Sequence, residues 1–411
     1  MRLKLQNIGI IEEADINVDG ITLIAGQNDS GKSTVGKVLY AIIKGFNQNI
    51  NLFQEEKNGM MTYSYQEILK DLKKEFNDIS KHQTKEINKE WILHIEELIA
   101  KNITNDNLKK SIQENFEYLK ENFEKGYNTI EQKEDEIDLW INSEITTLEN
   151  VFNTTKKETI IEIEDLLGNA KIEERFKSIP TEKIYTKLDS NLETYYKEVF
   201  FVESPLIINE SLQKFIGKDN IQNYQRNRQD ELAKSLSNQK TGNELDYSKT
   251  YNKISEIING EIKISLLEGL RYSKNNKDIE IKNTAVGIKS FGIIQLLLKN
   301  NRLNNRSLLI IDEPEVHLHP TWQVKYAEIL VVLSKELDVP MLLTSHSPYF
   351  IEALEAYTKK YKYESSTNFY FAEKNEDGLS SKIIDVTKNI SPILSSISEA
   401  FYTIQDLNDE N

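Results

Sequence analysis

The stretch Ile21-Thr22-Leu23-Ile24-Ala25-Gly26-Gln27-Asn28-Asp29-Ser30-Gly31-Lys32-Ser33-Thr34 decides how this chain is read. Ile21 to Ala25 form a short apolar run of the kind that makes a fully buried strand. Gly26 to Ser33 match G-x-x-x-x-G-K-[ST], and a helix is predicted from about Lys32 to Phe46. In a loop of this pattern successive backbone N–H groups turn inward and cradle phosphate oxygens, helped by the N-terminus of the following helix. Gly26, Asn28, Ser30 and Gly31 would shape that cradle. Lys32 would reach the β- and γ-phosphates of ATP, Ser33 would ligate Mg2+, and Thr34 would approach the α-phosphate. A plain strand–turn–helix does not explain why Gly, Lys and Ser all fall at these positions.

A second element lies far downstream. Leu308-Leu309-Ile310-Ile311-Asp312-Glu313 reads as an apolar strand ending in two acids. That brings charge to the C-terminal edge of a sheet, where ligands of α/β proteins bind. Asp312 is suited to hold Mg2+ through its water shell, and Glu313 to polarise an attacking water as general base. Thr344-Ser345-His346-Ser347 follows the strand Met341–Leu343, the next apolar strand after the acids. A histidine at the end of a neighbouring strand is placed to hydrogen-bond a γ-phosphate. Lys32 lies near the start of the chain and Asp312 in its last third, whereas Asp312, Glu313 and His346 are close together. One P-loop domain must therefore be split by a long insertion.

The rest of the chain has distinct textures. Leu3 and Leu5 alternate with Arg2 and Lys4, a strand pattern, and Ile8 to Val18 reads as further strand before a turn at Asp19-Gly20. Residues 50–195 are rich in Lys, Glu, Asn and Ile, with one proline, Pro180. Trp91, Ile95 and Leu98, and Ile137, Trp140 and Ile141, recur at helical spacing, so a paired helical arm is expected over 49–195. Residues 51–195 carry 20 basic and 31 acidic side chains, a net of −11, most of the chain's negative charge. Val199–Val202 reads as a strand. Residues 208–259 are polar and helix-like, and Glu261 to Asn283 reads as short strands with a turn at Asn275-Asn276. A helix is expected at Ser290–Lys299, another at Thr321–Leu337, a strand at Asn368–Phe371, a short strand near Ile383, and a helix at about 392–405.

Composition narrows the classes. The chain of 411 residues has 51 Lys and Arg against 66 Asp and Glu, a net charge of −15. That balance opposes a surface that grips nucleic acid throughout but leaves room for a local basic groove. The absence of cysteine excludes a disulfide framework, a thiolate zinc site and a cysteine nucleophile. No apolar run approaches a membrane span and the N-terminus has no signal-peptide core, so a cytoplasmic protein without membrane contact is expected.

The P-loop, Ile310-Ile311-Asp312-Glu313-Pro314-Glu315-Val316-His317-Leu318-His319-Pro320 and Thr344-Ser345-His346-Ser347-Pro348 together resemble the ABC-type ATPase heads of the RecF, SMC and OLD-nuclease group. They are most similar to the bacterial AAA-family ATPases of that group, many of which sit in phage-defence operons. The resemblance covers about 1–48, 196–207 and 260–375. It implies an α/β head with a mixed sheet, formed by 1–48, 196–207 and 260–411 and interrupted by the helical arm, with 208–259 as a helical subdomain. It makes Asp312 and Glu313 the Walker B pair, Glu315 to Pro320 the D-loop and His346 the switch histidine. It also calls for a signature motif that meets the partner's γ-phosphate. The candidate is Ala285-Val286-Gly287-Ile288-Lys289-Ser290, in which Val286 stands where a serine is usual. Either Ser290 replaces that serine, or the Gly287 N–H and Lys289 make the contact, or hydrolysis is weak. Glu203 or Ser204 is the nearest Q-loop equivalent. His317 and His319 alternate and could form a metal pair if they shared a strand, but no third ligand is apparent and the D-loop reading is preferred.

The expected protein is a Mg2+-dependent ATP hydrolase with Lys32, Glu313 and His346 as catalytic residues. It would act as an ATP-gated sensor or motor in anti-phage defence. Its partners would be a second copy, or more, across two ATP molecules and a separate effector, a nuclease among the candidates. The alternatives are a RecF-like ATPase on duplex DNA and a slowly hydrolysing, ATP-clamped scaffold. OLD-type nucleases carry an acidic metal-binding domain after the ATPase. Here Glu373, Glu376, Asp377 and Asp385 lack Asp-x-Asp spacing, so this chain alone is expected to cut no nucleic acid.

Overall fold

Strand β3 (Ile21–Gly26) is buried along its whole length and lies in the interior of an eleven-stranded sheet. In this computed structural model the described residues are 1–47, 159–165, 170–176, 183–188, 196–209, 228–237, 247–265, 269–376 and 378–398, with a few helical positions between 109 and 117. The other strands of the sheet are β1 (Arg2–Ile8), β2 (Ile11–Asn17), β4 (Thr159–Asp165), β5 (Ala170–Phe176), β6 (Lys183–Leu188), β7 (Glu198–Val202), β11 (Ser307–Asp312), β12 (Met341–Ser345), β13 (Thr367–Lys374) and β14 (Ser381–Asp385). The order is β6-β5-β4-β1-β2-β14-β13-β3-β12-β11-β7. The block from β13 to β7 is parallel, and β6 to β1, β1 to β2 and β13 to β14 pair antiparallel. The result is a mixed sheet. Strands buried on both faces read as continuous apolar runs, which is why β3, β11 and β12 stand out in the sequence.

Helices cover both faces of the parallel block. α1 (Lys32–Asn47) packs Val35, Val38, Leu39 and Ile43 with Leu308, Ile310 and Leu342 on one face. The alternate residues Leu309, Ile311 and Leu343 join the opposite core. That core includes Phe291 and Ile294 of α4 (Val286–Lys299), Ile329 and Leu333 of α5 (Pro320–Leu337) and Phe350 and Leu354 of α6 (Pro348–Lys360). Two shorter helices, α2 (Arg228–Ser237) and α3 (Ser248–Ile258), and a small antiparallel sheet of β8 (Glu261–Ser265), β9 (Gly269–Lys274) and β10 (Lys277–Glu280) complete this side. Asn275 and Asn276, at φ 50° and 59°, make the β9–β10 turn in the left-handed conformation that tight hairpins need.

The structure corrects the sequence reading at three places. First, helix does not run through to residue 195. β4 pairs with β1, setting Leu5 opposite Ile161, and β5 and β6 follow, all antiparallel. Thr159-Ile160-Ile161-Glu162-Ile163-Glu164 does contain a period-two pattern, but it sits in the same Lys/Glu-rich composition as its surroundings. The chain divides into two compact units, Met1–Asn47 with Glu136–Asn411 and Gln48–Asp135, so the second unit ends well before residue 195. Within 48–135 the described positions are helical, with Ile112 and Phe116 buried at i,i+4 spacing. The positions named for the helical periodicity, Trp91 to Ile141, lie outside the described residues. Second, α4 begins at Val286, one turn before the expected start at Ser290. Third, α6 follows His346 directly, with Pro348 in its first turn. Residues 391–398 are helical, and the rest of the expected C-terminal helix lies outside the described residues. No described helix is long and apolar enough to cross a membrane.

Candidate active site

Parallel registry brings the distant motifs together. Met341–Ser345 runs beside Ile21–Ala25, and Asp312 lies opposite Thr344 on the next strand. The loop after β3, the acids after β11 and the histidine after β12 thus emerge side by side at one edge of the sheet. Gly26 and Gly31 are required by close approach. A Cβ on Gly26 would lie 2.7 Å from the Ala372 carbonyl oxygen, and one on Gly31, at φ 84°, would lie 2.6 Å from Ile11 Cγ1.

A cleft of about 270 Å³ lies over the loop, lined by Asn28, Asp29, Ser30, Gly31, Lys32, Ser33, Thr34, Glu313 and the β1–β2 turn residues Gly9 and Ile10. Ser30 Oγ donates to the Gln27 carbonyl at 2.8 Å, and Lys32 Nζ donates to the same oxygen at 2.7 Å. Ser33 Oγ donates to Asp312 Oδ1 at 2.9 Å, although the two residues are far apart in the chain. Thr344 Oγ1 donates to the same carboxylate oxygen and accepts from the Glu313 N–H at 3.1 Å. Glu313 sits at φ 49°, a left-handed conformation uncommon outside Gly, Asn and Asp and concentrated at functional sites. Its Oε1 lies 3.2 Å from His346 Nδ1.

The electrostatics follow from these contacts. Burial pushes the Lys32 ammonium below its ordinary pKa, opposed by the carboxylates of Glu313, Asp312 and Glu315. The hydrogen bond to His346 holds the Glu313 carboxyl below its ordinary value against desolvation, and the same bond raises the imidazole. Burial pushes the Glu315 carboxyl up, opposed by hydrogen bonds from Ser345 and the His346 N–H.

Ser33, Asp312, Glu313, Lys32 and His346 are therefore brought together, and Asn28, Ser30, Gly31 and Thr34 line the cleft. Gly287, Lys289 and Ser290 are not among its lining residues. All three are buried in α4. A Cβ on Gly287 would meet Trp322 and Leu318, Lys289 Nζ donates to the Lys282 carbonyl, and Ser290 Oγ donates back to the Val286 carbonyl at 3.4 Å. Within this chain the Ser290 hydroxyl is engaged by the Val286 carbonyl, and Ser290 is not the cap of α4. Val286 occupies the first turn of α4 instead. Of the Q-loop candidates, Glu203 pairs with Arg228 at 3.2 Å, and Ser204 Oγ accepts from the Leu206 N–H. Both line a separate cleft of about 180 Å³. His317, at φ 65°, lies in a turn, and His319 Nδ1 accepts from the Thr321 N–H as the cap of α5. They do not share a strand, so the premise of a metal pair fails.

Sequence reasoning missed the role of Thr344 and of the Gly9-Ile10 turn. Thr344 was legible only through registry with Asp312. Gly9 and Ile10 reach the cleft by tertiary packing and leave no local signal.

Among solved structures, the chain is similar to the SMC head domain from Thermotoga maritima at 10% identity, covering 94% of this chain and 98% of that one, with a TM-score of 0.41. It is similar in the same way to a Pyrococcus furiosus-derived Smc head domain with an extended coiled coil, solved with the C-terminal domain of ScpA, at 10% identity, 99% and 98% coverage and a TM-score of 0.42. The family model described as AAA ATPase domain matches residues 1–351. With its P-loop, paired acids and histidine meeting at one sheet edge, this chain belongs to the AAA ATPase domain family and is an ATP-hydrolysing enzyme.

Proposed function

We propose that the chain is a Mg2+-dependent ATPase of the ABC/SMC type in which two copies close on ATP, and that the closed state works as a sensor or motor governing a separate effector. The observation that carries this reading is the convergence of Ser33, Asp312, Glu313, Thr344 and His346 at the mouth of the P-loop. The donor set fits Mg2+, since the Ser33 hydroxyl and the Asp312 carboxylate are hard oxygens 2.9 Å apart. Bound there by Ser33 and Asp312, the ion would neutralise charge on the phosphate oxygens. The loop N–H groups hold the phosphates, and Lys32 exchanges the Gln27 carbonyl for a phosphate oxygen. The ionised Glu313 accepts a hydrogen bond from the attacking water and aligns it with the γ-phosphorus. His346 orients Glu313 and offers a donor to the γ-phosphate. Catalysis here is positioning and charge stabilisation, because phosphoryl transfer leaves the protein little covalent chemistry to do.

The dimer is supported by the make-up of the cleft. Its lining comes from the loop, the β1–β2 turn and Glu313, and no part of α4 is included. The start of α4 from a second copy would supply the missing cover. The defence role and the effector rest on the motif resemblance. Glu313→Gln keeps the shape of the carboxylate but cannot take a proton, so ATP should bind and turnover should fall by about 100-fold or more. Trapped ATP should raise the dimer or higher-oligomer fraction in light scattering. Wild-type turnover in this variant removes Glu313 from the reading, and an ATP-independent mass removes the dimer. Loss of protection in phage plating with the same variant tests the defence role. One observation favours a second reading, a slowly hydrolysing clamp: Val286 offers no hydroxyl at the first turn of α4. Single-turnover hydrolysis separates the two. Duplex DNA binding, the RecF-like alternative, is tested by titrating DNA with and without ATP.

A further inference from the structure

Glu315 is the acid of the 314–319 segment that the Walker assignment does not use. The motif resemblance places it at the start of a D-loop, and the residue is 4% exposed. Left-handed residues flank its turn, Glu313 at φ 49° and His317 at φ 65°, and the carboxylate is carried inward beneath the end of β12. Its Oε1 accepts from three donors: Ser345 Oγ at 2.7 Å, the His346 N–H at 2.9 Å and the Ser347 N–H at 3.2 Å. Its Oε2 is buried without a hydrogen-bond partner among the described residues. Burying a carboxylate is costly, and an apolar residue of the same size would fill space at less cost. Three convergent donors from one turn are what the charge is there to meet.

That turn carries His346, whose Nδ1 reaches Glu313 at 3.2 Å. The turn has a second tether. Ser347 Oγ donates to Gln323 Oε1 at 2.6 Å, and Gln323 Nε2 donates to the Leu318 carbonyl at 3.0 Å. The Ser345–Ser347 turn is thus tied to the 314–319 segment at Glu315 and again, through Gln323, at Leu318.

We propose that Glu315 is a positioning residue for ATP hydrolysis: its buried carboxylate fixes the Ser345–Ser347 turn and thereby sets His346 against Glu313. This rests on the reading of His346 and Glu313 as active-site residues. It makes the 314–319 segment a lever. A contact that shifts this segment moves Glu315, and His346 moves with it.

The test uses the full chain and a double-substitution cycle. Glu315→Gln retains a carbonyl acceptor and should keep kcat within about threefold, whereas Glu315→Ala should lower kcat by about tenfold or more with the Kd for ATP within about threefold. His346→Ala should itself lower kcat, and the double variant Glu315→Ala/His346→Ala should be no slower than His346→Ala alone, because residues acting as a unit are not additive. A merely structural role would give losses that multiply. Wild-type kcat in Glu315→Ala, or multiplying losses, overturns the proposal. Wild-type turnover in His346→Ala instead overturns the active-site reading beneath it, and the proposal with it. Should Glu315→Ala fail to fold, Ser345→Ala removes one of the three donors. It should lower kcat by about threefold in the wild-type background and not in the His346→Ala background. No change in either background overturns the proposal.

Discussion

Lys32 is 4% exposed, and its ammonium rests on the Gln27 carbonyl, under the influence of three carboxylates. Little else in the loop supplies positive charge to a triphosphate. Lys32→Ala should therefore weaken ATP binding by about 100-fold or more while the fold survives, as titration calorimetry and circular dichroism would report. Unchanged affinity would remove Lys32 from the site. The His346–Glu313 contact makes a pH prediction of definite sign. The imidazole is raised above its ordinary 6.5 and the carboxyl is held below its ordinary 4.5. The imidazolium's contribution to stability is complete below 6.5 and is lost as pH rises through the raised value. The carboxylate's contribution is complete above 4.5 and is lost as pH falls through the lowered value. In His346→Ala the carboxyl loses the group that depresses it. The acid limb of the kcat–pH profile should then move to higher pH, and an unmoved limb would dissociate Glu313 from the titration that limits turnover.

α4 shows how an element's starting point changes the chemistry assigned to it. Because the helix opens at Val286, Ser290 lies one turn inside, with its carbonyl accepting from the Tyr326 hydroxyl and its side chain bonded to the Val286 carbonyl. Ser290→Ala should leave turnover unchanged and cost no more than about 1 kcal/mol in a thermal melt. A sharp fall in turnover with normal stability would restore Ser290 as a nucleotide contact. Gly287→Ala should act differently, because a Cβ there lies 2.9 Å from Trp322 and 3.0 Å from Leu318. Pushing α4 off α5 should cost about 1–3 kcal/mol and lower the melting temperature; an unshifted melt would show that the start of α4 yields freely. The strand–loop–helix at 21–47 was legible because its signals are local: an apolar run, two glycines and a lysine, all between Ile21 and Lys32. The Asp312–Glu313 and His346 positions were legible for the same reason. β4 to β6 were not, since strands rich in Lys and Glu share their composition with solvated helices and are chosen by pairing, β4 with β1, β5 with β4 and β6 with β5. The start of α4 was hidden because Ala285 caps it without a side-chain hydrogen bond, leaving no Ser, Thr, Asp or Asn to mark it.

At the scale of the molecule, the described acids of the stretch 373–385 do not gather. Glu373 and Glu376 are exposed, Asp385 Oδ1 accepts from the Thr387 N–H, and Asp377 lies outside the described residues. Among the described residues no group of three or more His, Asp or Glu side chains is arranged to hold a metal ion. Purified protein with ATP and Mg2+ or Mn2+ should leave plasmid, linear DNA and tRNA intact. Cleavage lost on substituting Asp385 or Asp377, and absent from a mock purification, would place a nuclease within the chain. The strand order β13-β3-β12 also bears on biosynthesis. The ribosome makes β3 early, but both its neighbours, β12 and β13, come from the last part of the chain. At about 5–20 residues per second, the nascent chain carries an unpaired, wholly buried-type strand and the bare inner face of α1 for roughly 20–70 s. Such a segment is a natural client for a holding chaperone, and it cannot capture nucleotide while it waits. Ribosome-bound fragments ending before Met341 should therefore be inert towards ATP, so the enzyme acquires its substrate only after β12 and β13 have been made.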